Sequence, residues 1–150
     1  MINRREFVIA LGATGLLAAC QEGPPQPSTV VLNFAGKPGM NLGPGGEERP
    51  VTVLIMRLKS TGAFNSADYF ALQGDAAKAL GADLLGSDQV SVGPGATASK
   101  TITVEPEAAA VGLVALVREP TGKTWRKTKS VSPGSQLTVS VTLGSGGISA

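Results

Sequence analysis

The chain has 150 residues, with 13 Lys and Arg against 11 Asp and Glu, a formal net charge of +2 at pH 7. Such a balanced charge gives no electrostatic basis for binding nucleic acid or an anionic membrane surface. His is absent and Cys occurs once, which excludes Ser-His-Asp and Cys-His catalysis and argues against structural zinc. We therefore predict a protein that is not an enzyme, with no catalytic residue, metal, cofactor or small-molecule substrate.

Residues 1–19 have the organisation of an export signal peptide. Arg4 and Arg5 form a cationic start, and the apolar stretch 7–17 is shorter than the roughly 20 residues that a membrane-spanning helix needs. The stretch ends in Leu17-Ala18-Ala19-Cys20, which resembles the lipobox of bacterial lipoproteins at all four positions. We expect cleavage before Cys20 and lipidation of its thiol. An ordinary secretory signal followed by a coincidental Cys is the alternative.

Residues next to the basic pair and next to Cys20 indicate the export route and the target membrane. Residues 3–8 (Asn-Arg-Arg-Glu-Phe-Val) resemble a twin-arginine motif, which would export a folded domain, but a Sec signal is also positively charged here, so both routes stay open. Gln21 follows the lipidated residue instead of Asp, which favours the outer membrane in enterobacteria-like sorting. Because each buried CH₂ adds about 0.8 kcal/mol of membrane affinity, three acyl chains would anchor the protein permanently.

Removing 19 of 150 residues leaves 131, a length that suits one domain with its own core. Loss of Arg4, Arg5 and Glu6 with the leader leaves 11 basic and 10 acidic residues. Residues 20–28 hold the lipidated Cys and a Pro-rich segment, which we expect to form a semi-rigid tether. The domain is predicted to span 29–150.

Most of the domain consists of short apolar runs typical of strands. In residues 29–35, Val30, Leu32 and Phe34 occupy every second position, as in a strand. Residues 51–59 are almost continuously apolar, as in a strand that is buried on both faces. The later runs are 89–92, 100–104, 111–118, 124–131 and 136–143, with Leu137, Val139, Val141 and Leu143 facing inward in the last. Seven strands separated by turns predict a two-sheet antiparallel β-sandwich.

A helical pattern interrupts the strands at about 64–86. We predict a helix over 66–72, capped by Asn65 or Ser66, and a second over 75–80, capped by Asp75 and ended by Gly81. One face of the first helix would hold Phe64, Ala67, Phe70 and Ala71. The capping role of Asp75, and the turns around Asp83 and Asp88, account for these carboxylates better than a calcium site or an acid pair does.

The loop from Gly36 to Pro50 is the candidate binding element. It contains five Gly and three Pro in fifteen residues, and structureless loops longer than about 12–15 residues are usually functional or disordered. Met40 and Leu42 are apolar residues with no evident core to join, so we expect their side chains to be free for a partner. The candidate contact residues are Gly39, Met40, Asn41, Leu42 and Gly43. A mobile connector without any contact is the alternative.

Three bulky side chains outside the loop are further candidate sites. Trp125 is the single indole, and we expect it to pack at the core or its rim more readily than to bind a ligand. Arg118 and Arg126 lie on neighbouring predicted strands, as a pair that is either simply solvated or facing a partner. If the loop does not bind, the sheet face with these arginines is the next candidate.

The order of motifs resembles one family across nearly the whole mature chain. The most specific motifs are Phe64-Asn65-Ser66-Ala67-Asp68-Tyr69-Phe70-Ala71-Leu72, Leu80-Gly81-Ala82-Asp83-Leu84-Leu85, Val111-Gly112-Leu113-Val114-Ala115 and Trp125-Arg126. Behind a lipobox, this series resembles the outer-membrane lipoprotein of the type VI secretion system, the TssJ (SciN) family. Residues 54–56 (Leu-Ile-Met) are more apolar than the family pattern and leave the exposed face of that strand in doubt.

This resemblance implies a transthyretin-like sandwich with a small helical addition. It also implies a lipoprotein at the periplasmic face of the outer membrane that binds the periplasmic C-terminal domain of TssM, an inner-membrane protein. The contact element of the family is the loop between the first two strands, here Gly36–Pro50.

Two other classes of function stay open. A β-sandwich lipoprotein that binds carbohydrate or peptidoglycan would need several exposed aromatic side chains, whereas this chain has one Trp and one Tyr. A lipoprotein hydrolase is disfavoured because His is absent.

Overall fold

A computed structural model describes residues 23–150. The predicted signal peptide and Cys20 lie outside the described residues. The strands within 23–150 are β1 (Ser28–Gly36), β2 (Val51–Leu58), β3 (Leu84–Val92), β4 (Thr97–Val104), β5 (Ala110–Leu116), β6 (Arg126–Ser130), β7 (Gln136–Gly144) and β8 (Gly147–Ser149). The sequence does not predict β8, because three residues are too few to show an alternating pattern.

The strands form two four-stranded sheets, which confirms the predicted β-sandwich. Sheet A has the order β4-β1-β7-β8, and sheet B has the order β3-β2-β5-β6. Neighbouring strands are antiparallel except for β1 and β7, which run parallel from the pair Thr29–Gln136 to the pair Gly36–Leu143. This parallel pair departs from the antiparallel pairing predicted for the sandwich, which the other pairs of neighbouring strands follow. Side-chain alternation is the same in parallel and antiparallel strands, so the sequence pattern does not encode strand direction.

The main hydrophobic core lies between the two sheets. Sheet A contributes alternate residues of each strand, including Val30, Leu32 and Phe34 of β1, all at most 2% exposed. The predicted alternation of β7 is confirmed, since Val139, Val141 and Leu143 are buried and Leu137 packs against the same cluster.

A second, smaller core lies on the outer face of sheet B. The helical segment covers this face and packs Phe64, Leu72 and Leu80 against Met56, Leu58 and Val114. Because sheet B is covered on both faces, β2 and β5 are apolar along almost their whole length, as predicted for β2. The apolar run 54–56 therefore faces cores on both sides of the sheet.

The helical segment consists of α1 (Gly62–Ser66), α2 (Tyr69–Gly74) and α3 (Ala76–Leu80), followed by a 3-10 turn at Gly81–Asp83. The predictions for α3 are confirmed. The Asp75 carboxylate accepts a hydrogen bond from the backbone N–H of Lys78 at 3.1 Å, and Gly81 is the C-terminal capping residue.

The predicted helix over 66–72 is wrong in its boundaries, because two helices meet there. α1 ends at Ser66, and Ala67 has extended backbone. Asp68, not Asn65 or Ser66, caps the next helix and accepts the N–H of Ala71 at 2.7 Å. This break resets the helical phase, so Phe64 is buried whereas Phe70 is 72% exposed. The two residues do not share one buried face.

The tether and the long loop lie at opposite ends of the sandwich. At the tether end, the carbonyl of Gln26 accepts the N–H of Gly134 at 2.8 Å. β1 then runs nine residues, about 30 Å at 3.3 Å per residue, to the distal end. The distal end carries residues 37–50, called the β1–β2 loop, and residues 117–125, called the β5–β6 loop. No helix of residues 23–150 is both long and apolar enough to cross a membrane.

Candidate functional site

The β1–β2 loop is folded back onto the sandwich. The N–H of Lys37 donates to the carbonyl of Leu143 at 2.8 Å, and the N–H of Met40 donates to the carbonyl of Lys37 at 3.3 Å. These two bonds begin a turn immediately after β1. The loop is therefore held at its start by backbone hydrogen bonds to β7 and within itself.

Met40 belongs to the core, so the expectation that its side chain is free for a partner is wrong. It is 1% exposed and joins the cluster between the sheets. A β-carbon at Gly36 would clash with the carbonyl oxygen of Gly93 and come within 3.0 Å of Met40 Sδ, so the missing side chain at Gly36 leaves room for both. Met40 fastens the loop to the domain.

Asn41 joins the two loops of the distal end. Its side chain is buried, with 6% exposure for the residue. The amide Nδ2 donates to the carbonyl of Pro50 at 3.1 Å, and Oδ1 accepts the backbone N–H of Arg118 at 2.8 Å. Asn41 therefore spans its own loop and fixes it to the β5–β6 loop.

Two acidic residues organise the rest of the loop. The Glu48 carboxylate accepts the N–H of Gly39 at 3.0 and 3.1 Å, and the carbonyl of Glu47 accepts the N–H of Gly43 at 2.8 Å. The Glu47 carboxylate also pairs with Arg49 at 2.7 Å. Its pKa is lowered, first by a hydrogen bond from its own backbone N–H and then by the Arg49 guanidinium. The two glutamates thus hold the shape of the loop through these hydrogen bonds and the ion pair.

Leu42 is the large side chain that this framework presents to solvent. It is 42% exposed, whereas its neighbours Asn41 and Gly43 are buried. Of the five predicted contact residues, Met40 and Asn41 hold the loop, Gly39 and Gly43 supply backbone donors, and Leu42 projects outward. The arrangement is that of a preorganised apolar contact, which loses less conformational entropy on binding than a mobile loop does.

The two predicted surface arginines do not form a pair. Arg118 lies in the β5–β6 loop, where its side chain is 39% exposed and 3.3 Å from Glu119. Arg126 is in β6 and donates to the carbonyls of Phe64 and Ala67, at 2.9 and 2.6 Å. Its guanidinium also lies 4.5 Å from the centre of the Trp125 ring. Arg126 therefore holds the helical segment against sheet B, and the expectation of a solvated arginine pair is wrong.

Trp125 packs at the rim of both cores, as predicted. The carboxylates considered as metal ligands have structural contacts of their own: Asp75 caps α3, and Asp88 pairs with Arg57 at 2.7 Å. Arg57 also pairs with Glu105 at 3.0 Å. Among the residues that the structure describes, no group of three or more His, Cys, Asp or Glu side chains could hold a metal ion.

The sequence pattern did not identify Phe70 as a surface residue. Its neighbour Tyr69 is buried instead, and the Tyr69 hydroxyl donates to the carbonyl of Val117 at 2.7 Å. Burial raises the pKa of Tyr69. A conspicuous signal was available, because two adjacent aromatic residues at the start of a helix cannot both face the same core.

Comparisons with known proteins identify the family. Residues 28–146 match the sequence profile of type VI secretion lipoproteins, described as VasD, EvfM and TssJ. Lip of Serratia marcescens, a membrane-bound component of the type VI secretion system, is 27% identical with a TM-score of 0.75, over 81% of this chain and 95% of that chain. TssJ1, a type VI secretion lipoprotein of Pseudomonas aeruginosa, is 31% identical with a TM-score of 0.73, over 84% and 95%.

A chain of a type VI membrane complex is also similar, with 25% identity and a TM-score of 0.72 over 83% of this chain and 98% of that chain. No sequence among the curated proteins matches significantly. The family profile spans most of the chain, and both the sandwich and the helical segment agree with the resemblance in the sequence. The chain therefore belongs to the type VI secretion lipoprotein family that includes TssJ.

Proposed function

We propose that this protein anchors the trans-envelope complex of a type VI secretion system to the outer membrane. In this proposal, Cys20 carries the lipid anchor at the periplasmic face, and the β1–β2 loop binds the periplasmic C-terminal domain of TssM. Family membership supports the secretion system and the lipoprotein class. The resemblance of the sequence to the family supports the partner and the membrane.

One observation carries the proposed binding site: Leu42 is held outward on a loop that is otherwise fastened to the domain. Met40 and Asn41 fix the loop from within, and Leu42 between Asn41 and Gly43 remains 42% exposed. The loop lies at the end of the sandwich that is remote from the tether. A partner that approaches from the inner membrane would meet this end first, because the lipid holds the other end.

A non-enzymatic role is supported by the side chains available. His is absent and Cys20 is the single Cys, so the common nucleophile and base pairs have no members here. Three charged residues of the loop, Glu47, Glu48 and Arg49, bind one another or the loop backbone. They serve the shape of the loop.

The proposed function is tested by titrating the detergent-purified lipoprotein with the periplasmic domain of TssM. Because Leu42 is already partly buried, covering the rest of its side chain stabilises the complex by about 1–2 kcal/mol, so Leu42→Ser should weaken binding roughly 5- to 30-fold. Leu42→Met keeps the apolar contact and should bind like the parent. Gln136→Ala, an exposed change at the tether end, is the positional control. Equal affinities for all four proteins would refute the loop as the binding site.

A further inference from the structure

Two large apolar side chains stand exposed among residues 23–150, Leu42 at 42% and Phe70 at 72%. Leu42 belongs to the β1–β2 loop and Phe70 to the first turn of α2, and 27 residues separate them in the chain. Phe70 is the more exposed of the two, although its ring has the larger apolar surface. An exposed Phe of this kind is neither required by the fold nor explained by it.

The β5–β6 loop brings the two side chains to the same end of the molecule. Asn41, next to Leu42, accepts the N–H of Arg118 at 2.8 Å. Tyr69, next to Phe70, donates to the carbonyl of Val117 at 2.7 Å. Val117 and Arg118 are consecutive, so one peptide segment fixes the neighbours of both exposed residues. Leu42 and Phe70 therefore flank the β5–β6 loop from its two sides.

Phe70 is held in its exposed position. The Asp68 cap fixes the start of α2, and the Tyr69 hydroxyl ties the next residue to Val117. The Tyr69 ring also meets Trp125 edge-on, with ring centres 5.2 Å apart, and meets Phe70 edge-on at 5.3 Å. Turning Phe70 inward would require Tyr69 to give up these contacts.

The size of a stable interface indicates what covers Phe70. A specific complex buries about 800 Å² on each partner and involves roughly 20–30 residues a side. The predicted contact residues 39–43 supply five of these residues, and among them only Leu42 projects a large apolar side chain. A partner that binds Leu42 stably has to extend over neighbouring surface. The β5–β6 loop adjoins it through Asn41, and beyond that loop lies Phe70.

We propose that Phe70 is a second apolar anchor for the same partner protein that binds Leu42. The inference rests on the proposed function. The partner would cover the β1–β2 loop, the β5–β6 loop and the first turn of α2, and an apolar pocket on its surface would receive the Phe70 ring. A lipid bilayer is not the expected occupant, because the proposed anchor at Cys20 would hold the opposite end of the sandwich, where Gln26 bonds to Gly134, toward the membrane.

The test is the titration with the TssM periplasmic domain, applied to variants of α2. Phe70→Ser should weaken binding about 10- to 100-fold, as loss of an aromatic anchor does. Phe70→Leu should recover most of the affinity. Gln73→Ser, an exposed change on the same helix, should bind within about twofold of the parent. The melting temperatures of all three should match the parent, because both positions are exposed.

The outcomes separate this inference from the proposed function. If Leu42→Ser weakens binding and Phe70→Ser does not, the second anchor is refuted and the loop site stands. If neither change weakens binding, both proposals fail. Sedimentation of the lipoprotein without TssM tests whether Phe70 instead mediates self-association. Self-association that Phe70→Ser abolishes, with unchanged affinity for TssM, would make a second copy of this chain the occupant and overturn the inference.

Discussion

The side-chain oxygen of Asn41 accepts the backbone N–H of Arg118 at 2.8 Å, across 77 positions of the chain. The same side chain donates to the carbonyl of Pro50 at 3.1 Å. A single buried amide therefore positions the β1–β2 loop against the β5–β6 loop. Both proposed anchors depend on this junction for their relative positions.

Asn41→Ala should destabilise the domain by about 1–3 kcal/mol, because the buried Asn41 amide is lost and the part-buried N–H of Arg118 and carbonyl of Pro50 lose their partner. Denaturant unfolding measures the change. Asn33→Ala is the matched control, since the Asn33 side chain bonds to Ser99 at the exposed surface of sheet A, and it should cost much less. Equal losses for the two variants would show that the Asn41 junction adds nothing to stability.

Replacing Met40 should destabilise the domain much more than replacing Leu42. Met40→Ala removes a side chain that is 1% exposed, and should cost about 2–5 kcal/mol as in other cores. Leu42→Ala should cost within about 1 kcal/mol, because much of the side chain is already in water. Thermal melting of both variants checks this order. If Met40→Ala melts like the parent, the loop is not fastened by Met40.

Tyr69 should ionise above the ordinary value of 10.0, because burial raises its pKa. Between these two pKa values the folded chain keeps a proton that the unfolded chain has lost, so stability is unaffected below pH 10 and falls as the pH rises further. Tyr69 is the single Tyr, so the ultraviolet absorbance of tyrosinate reports this group alone. A midpoint at or below pH 10.0 would contradict the buried hydroxyl.

Tyr69→Phe supplies the companion measurement. Loss of the bond to Val117 should cost about 0.5–1.5 kcal/mol at neutral pH. The part of the alkaline loss of stability that Tyr69 causes should disappear in this variant. An unchanged alkaline profile would assign that loss to other groups.

Cys20→Ser should release the protein from the membrane or leave the signal peptide attached, because the thiol is the single possible point of acylation. Fractionation of cells that express the variant and the parent is the measurement. A variant that still partitions into the outer membrane like the parent would exclude lipidation at Cys20.

Replacing Arg4 and Arg5 together with Lys keeps the positive charge and removes the arginine pair. Export should drop sharply if the chain uses the twin-arginine route and should hardly change if it uses Sec. The processed fraction of the protein in the periplasm distinguishes the two routes. Either result leaves the lipobox assignment intact.

Local patterns predicted the parts of the fold that depend on neighbouring residues. The alternation in β7, the burial of β2 on both faces and the cap by Asp75 each depend on a few consecutive residues. The structure confirms all three. The parallel pairing of β1 with β7 depends on residues far apart, and no local pattern carries it.

The errors in the site have the same origin. Met40 looks like a free apolar residue in a Gly-rich loop, because the space that Gly36 leaves for its sulfur is visible only in three dimensions. In the sequence, Phe70 continues the helical face of Phe64, but in the structure Ala67 adopts extended backbone and Asp68 caps a new helix. For this loop, the expectation of a free side chain is wrong for Met40 and agrees with the exposure of Leu42.

The parallel contact between β1 and β7 also governs when the chain can fold. Thr29 pairs with Gln136 across this contact. The ribosome therefore has to add 107 residues after Thr29 before its partner Gln136 exists. At roughly 5–20 residues per second, β1 waits about 5–20 seconds for β7, and contacts between distant segments form slowly even then. Throughout that interval, β1 would still lack its parallel partner when it reached a translocation channel that accepts unfolded chains. The order of strands in sheet A therefore leaves β1 without its parallel partner until almost the last strand has been synthesised.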